Sequence, residues 1–362
     1  MLRRRSFAAL AFGLVTLSAV PTVLGQGSGT PDRIRYRDFE GKLVDDAGEL
    51  KESPKGIEWL NANRKTISIS PDQVVKIEPT NLAGVPTTDL LTARSQEDVN
   101  PGKAAAAYGE MLKKAGPNAP ERSRRFLAYK EAYFTVKAVD AKGGKEFESE
   151  AGKAAEKMNA AAKTAIRSWE VWPASRIAAR LYAELGDFPK ATAVLGSLAS
   201  VPDLPKDLKH EANLLEAAMA LRGRNAPAAR SLLDRLASDK DFPAVGPARD
   251  RLSVMRVAAG IAIPAAPSQA PLPADAVKNL LAAIDAAKDP AARGIGHLVL
   301  GDLYAGHGQA RDAMWMYLTV DVVYNADRDD QIVAVRRLIP IFEAAGDKDK
   351  VDQFREKLPR IR

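Results

Sequence analysis

Three histidines are the first candidates for chemistry, because an imidazole can bind a metal or transfer a proton near neutral pH. His210, His297 and His307 are not spaced as a shared ligand set, and His210-Glu211 lacks the second histidine of a zinc-hydrolase helix. We therefore expect no metal at these positions. His297 is expected to be a partly buried packing residue.

A second candidate is a short acidic run near the C-terminus. Asn325, Asp327 and Asp329 alternate like the first ligands of a calcium loop, but Asp330 stands where that loop needs glycine and Arg336 where it needs glutamate. Polar residues that cap a following helix explain the run without a metal.

The remaining motifs do not indicate catalysis. Gly294-Ile295-Gly296 lies in a helix that opens at Asp289-Pro290 and follows no strand, which argues against a dinucleotide loop. The chain contains no cysteine, which excludes thiol chemistry. No nucleophile elbow, phosphate loop or paired-carboxylate signature is recognisable. We predict that the protein is not an enzyme and uses no cofactor.

The N-terminus has the pattern of a secretory signal peptide. Three arginines precede an uncharged apolar run from Phe7 to Val20, and small or permissive residues follow up to Gly25. An uncleaved membrane anchor is the alternative, but the run is short and Pro21 interrupts it. We predict a signal peptide at 1–25, no membrane span in the mature chain, and a periplasmic or secreted protein.

The charge of the mature chain argues against nucleic acid as a partner. The formal charge falls from +7 to +4 when the three arginines of the signal segment are removed. A basic stretch contains Arg122, Arg124, Arg125 and Lys130, but Glu121 and Glu131 interleave with it, so we interpret it as a solvated helix face.

Residues 31–79 differ from the rest of the chain. Ile34 and Tyr36 alternate, as do Ile67 and Ile69, and polar turns separate four or five short apolar runs. This pattern predicts a small β domain, either an SH3-like or Sm-like barrel or a curled sheet docked on helices.

Residues 80–100 show no convincing periodicity and are interpreted as a connector. Asn100-Pro101 has the residue types of a helix cap and first turn, so a helical domain is predicted over 101–362. The proline-rich segment 264–273 is expected to be a loop within it.

Two helical hairpins in this domain share a spacing. Leu300-Gly301-Asp302-Leu303-Tyr304 precedes Ala313-Met314-Trp315-Met316-Tyr317, with Gly301 expected where two helices approach closely. When Tyr182 is aligned with Tyr304, Gly186 and Ala191 coincide with Gly308 and Ala313. Over 175–238 and 291–358 the chain resembles the tetratricopeptide repeat family.

The resemblance implies a mostly α fold, an α-solenoid of tetratricopeptide-like hairpins after the β domain. It also implies a protein or peptide partner bound on the concave surface, where the aligned contact positions are Arg176, Arg180, Asp302 and Arg336. We therefore predict a non-catalytic, exported protein–protein interaction scaffold. The alternatives are a self-assembling homo-oligomer of structural role in the envelope and an accessory subunit of a cell-wall-active enzyme.

Overall fold

The computed structural model describes residues 31–61, 65–264 and 268–361. Within these ranges a five-stranded antiparallel sheet is followed by fourteen helices, so the protein is mostly helical. The predicted signal peptide at 1–25 and part of the predicted loop at 264–273 lie outside the described residues. None of the described helices combines the length and apolarity that crossing a bilayer requires.

The five strands form an open sheet. They are β1 (Asp32–Arg37), β2 (Leu43–Ser53), β3 (Gly56–Asn61), β4 (Thr66–Ile69) and β5 (Val74–Glu78). Their order is β4-β3-β2-β1-β5, and every neighbouring pair is antiparallel. The expectation of an SH3-like or Sm-like barrel is corrected in one respect, because the described strands do not close. Helices cover the apolar face, so burial does not require closure.

One face of the sheet packs against the helices. Its buried residues come from four strands, as the alternation predicts: Ile34, Ile57, Trp59, Ile69 and Ile77. They share a core with Tyr129 and Phe147 of the helical domain. Trp59 also satisfies its indole N–H, which donates to Asp46 Oδ2 over 3.0 Å. The sheet is therefore part of the main hydrophobic core.

Ion pairs also attach the sheet to the helix that contains Arg122 and Arg125. Glu52 of β2 accepts from Arg122 Nε at 2.9 Å and from Arg125 Nη2. Arg122 also reaches Asp32 of β1 at 2.6 Å, and Arg125 reaches Glu170 at 3.2 Å. The interpretation of this basic stretch as a solvated helix face was wrong for Arg125, whose side chain is only 10% exposed, and for Lys130, whose side chain is 8% exposed and pairs with Glu97.

The helices follow without a further strand in the described residues. They are α1 (Thr87–Gln96), α2 (Pro101–Ala115), α3 (Glu121–Asp140), α4 (Gly144–Thr164), α5 (Val171–Glu184), α6 (Phe188–Ala199), α7 (Lys206–Arg222), α8 (Ala226–Ser238), α9 (Pro247–Ala258), α10 (Ala274–Ala286), α11 (Pro290–Gly306), α12 (Ala310–Val322), α13 (Arg328–Ala344) and α14 (Lys348–Ile361). Helix α1 lies in the segment interpreted as a connector. Helix α2 begins as predicted, with the side chain of Asn100 accepting from the Lys103 amide.

The two aligned hairpins have matching turns. Gly186 ends α5 at φ +79° and Gly308 ends α11 at φ +71°, a left-handed conformation that glycine adopts without a Cβ penalty. Ala191 and Ala313 are fully buried in the second helix of each pair. At Gly301 a Cβ would lie 2.5 Å from the Tyr317 ring, which confirms the predicted close approach.

Consecutive helices pack on one another along the chain. Some helices that are distant in sequence are also in contact. Helix α13 contacts α5 as well as α11, and α11 contacts α7 and α9. The first helices of separate hairpins therefore contact one another. Of the predicted contact residues, Arg180, Asp302 and Arg336 are partly or fully buried, whereas Arg176 stays exposed.

Candidate functional site

Arg180 and Arg336 belong to one charge network between α3, α4, α5 and α13. Arg180 donates to Asp140 at 2.7 Å and to Glu184 at 2.6 Å, and its side chain is 11% exposed. Arg336 Nη1 lies 3.9 Å from Glu184 Oε2, and Arg336 Nη2 lies 3.7 Å from Glu148 Oε1. Burial opposes the charge of Arg180, but Glu184 and Asp140 outweigh it and raise the pKa of the guanidinium above its usual value. Both arginines are thus engaged within the fold.

Asp302 lies elsewhere, between α11, α12 and α13. It accepts from the Tyr317 hydroxyl at 2.7 Å and lies 3.2 Å from Arg337 Nε. Its side chain is 11% exposed. The structure therefore brings Arg180 and Arg336 together around Glu184. Asp302 instead contacts Tyr317 and Arg337.

A third charge pair, which sequence reasoning missed, joins α7 to α13. Arg222 donates to Asp330 Oδ1, and the two side chains are 11% and 2% exposed. Burial raises the pKa of Asp330 to about 7 despite the neighbouring Arg222. The partners are 108 positions apart, so no local pattern could have paired them. Asp327 does cap α13, accepting from the Asp329 and Asp330 amides.

Arg176 is the exposed member of the predicted set. Its guanidinium lies 5.5 Å from the Trp172 ring centre, a cation–π contact that leaves its hydrogen-bond donors available. It borders a cavity of about 410 Å³, here called the junction cavity, where the β4–β5 turn, α5 and the start of α13 meet. The charged residues that line this cavity are Asp72, Arg176, Arg180, Asp327, Arg328 and Asp329.

The junction cavity is lined by charged residues of both signs and by the ring of Trp172. Arg328 is exposed at the first position of α13, and Asp72 comes from the sheet. Burial raises the pKa of Asp329, and the neighbouring Asp327 adds to the effect. This surface can take up polar groups by hydrogen bonding and ion pairing.

A second cavity, here called the α3 cleft, lies between β5 and α3 and has a volume of about 200 Å³. The residues that line it are mainly aromatic and cationic: Arg35, Val75, Lys76, Ile77, Glu97, Asp98, Phe126, Tyr129, Lys130, Tyr133, Phe134, Lys137 and Trp169. Phe126, Tyr129 and Trp169 are buried, and Tyr133 packs against the same core. They contribute to the core and also form a wall of this cavity.

Glu97 organises the polar side of the α3 cleft. It accepts from the Tyr108 hydroxyl at 2.6 Å, from Lys130 at 2.9 Å and from Lys76 at 2.9 Å. Burial opposes its charge, but Lys130 and these hydrogen bonds outweigh that and hold the pKa of Glu97 below its usual value. Burial lowers the pKa of Lys130, with Glu97 acting in the opposite direction.

Two groups of the α3 cleft have unused bonding capacity. Trp169 is 4% exposed, and the described residues offer no acceptor to its buried Nε1. Lys137 lies 5.8 Å from the Tyr133 ring centre and has no carboxylate within ion-pair distance among the residues described. Sequence reasoning did not find this cleft, because its walls come from a strand and a helix about 50 residues apart in the chain.

Metal chemistry has no evident residue set in the described ranges, which contain no group of three or more histidine, cysteine or acidic side chains placed to hold an ion. His297 stacks on Tyr324 at 5.2 Å between ring centres, as expected for a packing residue. Burial lowers its pKa.

No protein-family model matches the chain, and no curated protein is significantly similar to it in sequence.

Proposed function

We propose that the protein is an exported, non-catalytic scaffold that holds a protein or peptide partner on a surface of tetratricopeptide-like hairpins. The matched turns at Gly186 and Gly308 and the close approach at Gly301 support the family resemblance. The N-terminal segment supports export. The structure shifts the proposed contact surface, because three of the four aligned positions are occupied by internal partners.

The observation that carries the proposal is the position of Arg176. It is exposed, rests on Trp172 and borders the junction cavity, where parts of the chain from the sheet to α13 meet. A flat cation supported by an aromatic ring is a common anchor at protein interfaces. A partner docked there touches the sheet and the helical domain together, so its binding depends on their relative placement.

The test is affinity capture with chemical crosslinking from an envelope extract of the source organism. Wild type is compared with Arg176→Glu, which reverses the exposed charge and breaks no ion pair of the described structure. Arg311→Glu, at an exposed position of α12, is the matched control. We expect a specific partner whose retention falls at least tenfold in the first variant and is unchanged in the second.

Equal retention by both variants would remove the junction cavity from the proposal. If the bait captured only further copies of itself, the self-assembling alternative would replace the scaffold. Light scattering at several protein concentrations measures that second outcome directly.

A further inference from the structure

A third cavity, here called the α4–α6 groove, lies between α4 and α6 where both helices pack on α5. Its volume of about 350 Å³ is within the usual range of small-molecule sites. Four small residues face one another across it, and their side chains leave the space between the three helices unfilled: Ala162, Ser175, Ala193 and Ser197. The groove is therefore a property of the packed helices.

The surface of the α4–α6 groove is mainly apolar. Ile166 is 48% exposed there, although isoleucine is one of the residues most often buried. An apolar group bound in the groove would remove this side chain from water, and that is favourable. The larger apolar lining residues are Ile166, Val171, Val194, Leu198 and Val201.

The hydroxyl of Ser175 is the deepest polar group of the groove without a hydrogen-bond partner. Ser175 is 4% exposed, and its side chain forms no hydrogen bond with a described residue. Its oxygen is not one of the partnerless side-chain atoms that are closed off from solvent, so it opens into the groove that it lines. Polar groups at this depth normally have a partner, and an oxygen of a ligand in the groove can supply one.

The charges of the groove favour an anion, because two cations and no carboxylate are found among its lining residues. Lys190 on the α6 wall is already balanced, since its Nζ lies 3.1 Å from Asp187 Oδ2. Asp187 and, to a smaller extent, Glu156 raise the pKa of Lys190. Lys163 on the α4 wall is exposed and forms no ion pair with a described residue. Arg167, four positions later, is also exposed and likewise forms none.

We propose that the α4–α6 groove binds a small amphipathic anion, a linear apolar chain that carries one carboxylate. The chain lies against Val171, Val194 and Leu198, and the carboxylate accepts from Ser175 Oγ and pairs with Lys163. The stretch of α5 from Val171 to Tyr182 is roughly 16 Å long. A chain of eight carbons spans roughly 10 Å, so the groove accommodates a medium-chain carboxylate in extended form.

The test follows the δ1 methyl signal of Ile166 in the intact protein, labelled with ¹³C at its isoleucine methyl groups. Ile166 is the only isoleucine that lines the groove, and its signal is assigned by its loss in Ile166→Val. The probes octanoate, octan-1-ol and octylammonium share one chain length and differ in the charge of the head group. Hexanoate keeps the carboxylate and shortens the chain.

We expect octanoate to shift the Ile166 signal saturably. It should bind roughly threefold more tightly than octan-1-ol and roughly tenfold more tightly than octylammonium, because Lys163 attracts the anion and repels the cation. Hexanoate should bind roughly fivefold more weakly than octanoate, because two fewer methylenes leave water.

Variants separate the two polar contacts. Lys163→Gln should remove the preference for octanoate over octan-1-ol, and Lys153→Gln at an exposed position of α4 should keep it. Ser175→Ala should weaken octanoate binding roughly threefold, and Ser253→Ala at an exposed position of α9 should not change it.

A third pair of variants tests the groove itself. Ala193→Trp places a large ring in the groove from an exposed position of its rim, so octanoate binding should weaken roughly tenfold or more. Ala160→Trp, at an exposed position of α4 outside the lining, should bind octanoate like wild type. Circular dichroism of both variants checks that the helices are retained.

The proposal is overturned if octanoate at about 10 mM does not move the Ile166 signal, since binding would then be weaker than millimolar. It is overturned equally if octanoate, octan-1-ol and octylammonium bind alike, because the charge of Lys163 would then select nothing. Neither result bears on partner capture through Arg176, because the junction cavity shares no lining residue with the α4–α6 groove.

Discussion

Gly301→Ala is expected to destabilise the protein, although alanine is the better helix former. The added Cβ would lie 2.5 Å from Tyr317 Cε1 and 2.9 Å from Cδ1, far inside normal contact distance. Tyr317 cannot easily move, because it is 1% exposed and its hydroxyl donates to Asp302 at 2.7 Å. The clash has to be relieved by a shift of the helices or by loss of that buried hydrogen bond.

The magnitude follows from two opposing effects. Replacing glycine by alanine within a helix gains about 1 kcal/mol of free energy of folding. Overpacking a buried site costs about 1–3 kcal/mol, and an unpaired buried polar group costs a similar amount. We therefore expect a net loss of about 1–2 kcal/mol in the free energy of unfolding.

Gly152→Ala in α4 is the matched control, because the nearest atom to its Cβ is Leu185 Cδ1 at an ordinary 3.8 Å. It should gain about 0.5–1 kcal/mol, so the two identical substitutions should differ by about 1.5–3 kcal/mol. Urea unfolding followed by circular dichroism measures both. Hydrogen exchange should show that the loss in Gly301→Ala is concentrated in α11 and α12.

The reasoning fails if Gly301→Ala is as stable as Gly152→Ala. A double-mutant cycle gives an independent check, because Tyr317→Leu removes the ring that the new Cβ would meet. In that background the cost of Gly301→Ala should fall by at least 1 kcal/mol. Purely additive free energies would mean that the close approach of these two helices is not what constrains position 301.

Two further predictions concern buried charge. Glu52→Gln leaves Arg122 and Arg125 without their shared carboxylate, so we expect the free energy of unfolding to fall by about 3 kcal/mol and hydrogen exchange in β1 to β3 to become faster. Glu49→Gln, at an exposed position of β2, is the control. Equal hydrogen exchange in both variants would contradict the role of Glu52 in docking the sheet. Asp330 has a folded-state pKa of about 7 against an ordinary 3.8, so the folded state holds its proton longer than the unfolded state does. Its contribution to stability is therefore present below about pH 4 and lost as the pH rises through 7, and Asp330→Asn should flatten this fall in pH-dependent urea unfolding. An unchanged slope in Asp330→Asn would assign the dependence to another group.

The local elements could be predicted from the sequence because their determinants lie close together in the chain. Asn100 and Pro101 define the start of α2 within two residues. Gly186 and Gly308 mark hairpin turns because few other residues adopt their positive φ. The alternation of Ile67 and Ile69 similarly identified β4, and the buried fraction of Ile69 confirms which face is inward.

The candidate sites could not be predicted in the same way, because they depend on pairs that are distant in sequence. The resemblance to the repeat family implied that Arg180 is a contact position on a concave surface, but Asp140, 40 positions earlier, binds it. Glu52 and Arg125 are 73 positions apart. Such pairs depend on how the sheet and helices dock, and periodicity within one element contains no information about docking.

The contact of α13 with α5 and α7 has a consequence for how the protein unfolds. In a linear array each hairpin stabilises only its neighbours, so the free end can fray one unit at a time. Here the pair Arg222–Asp330 closes a loop of 108 positions, and Arg336 reaches back to Glu148 and Glu184. Opening the C-terminal hairpin therefore leaves Arg222, a largely buried residue of α7, without its partner Asp330, and the helical region from α4 to α14 should lose its structure as one cooperative unit.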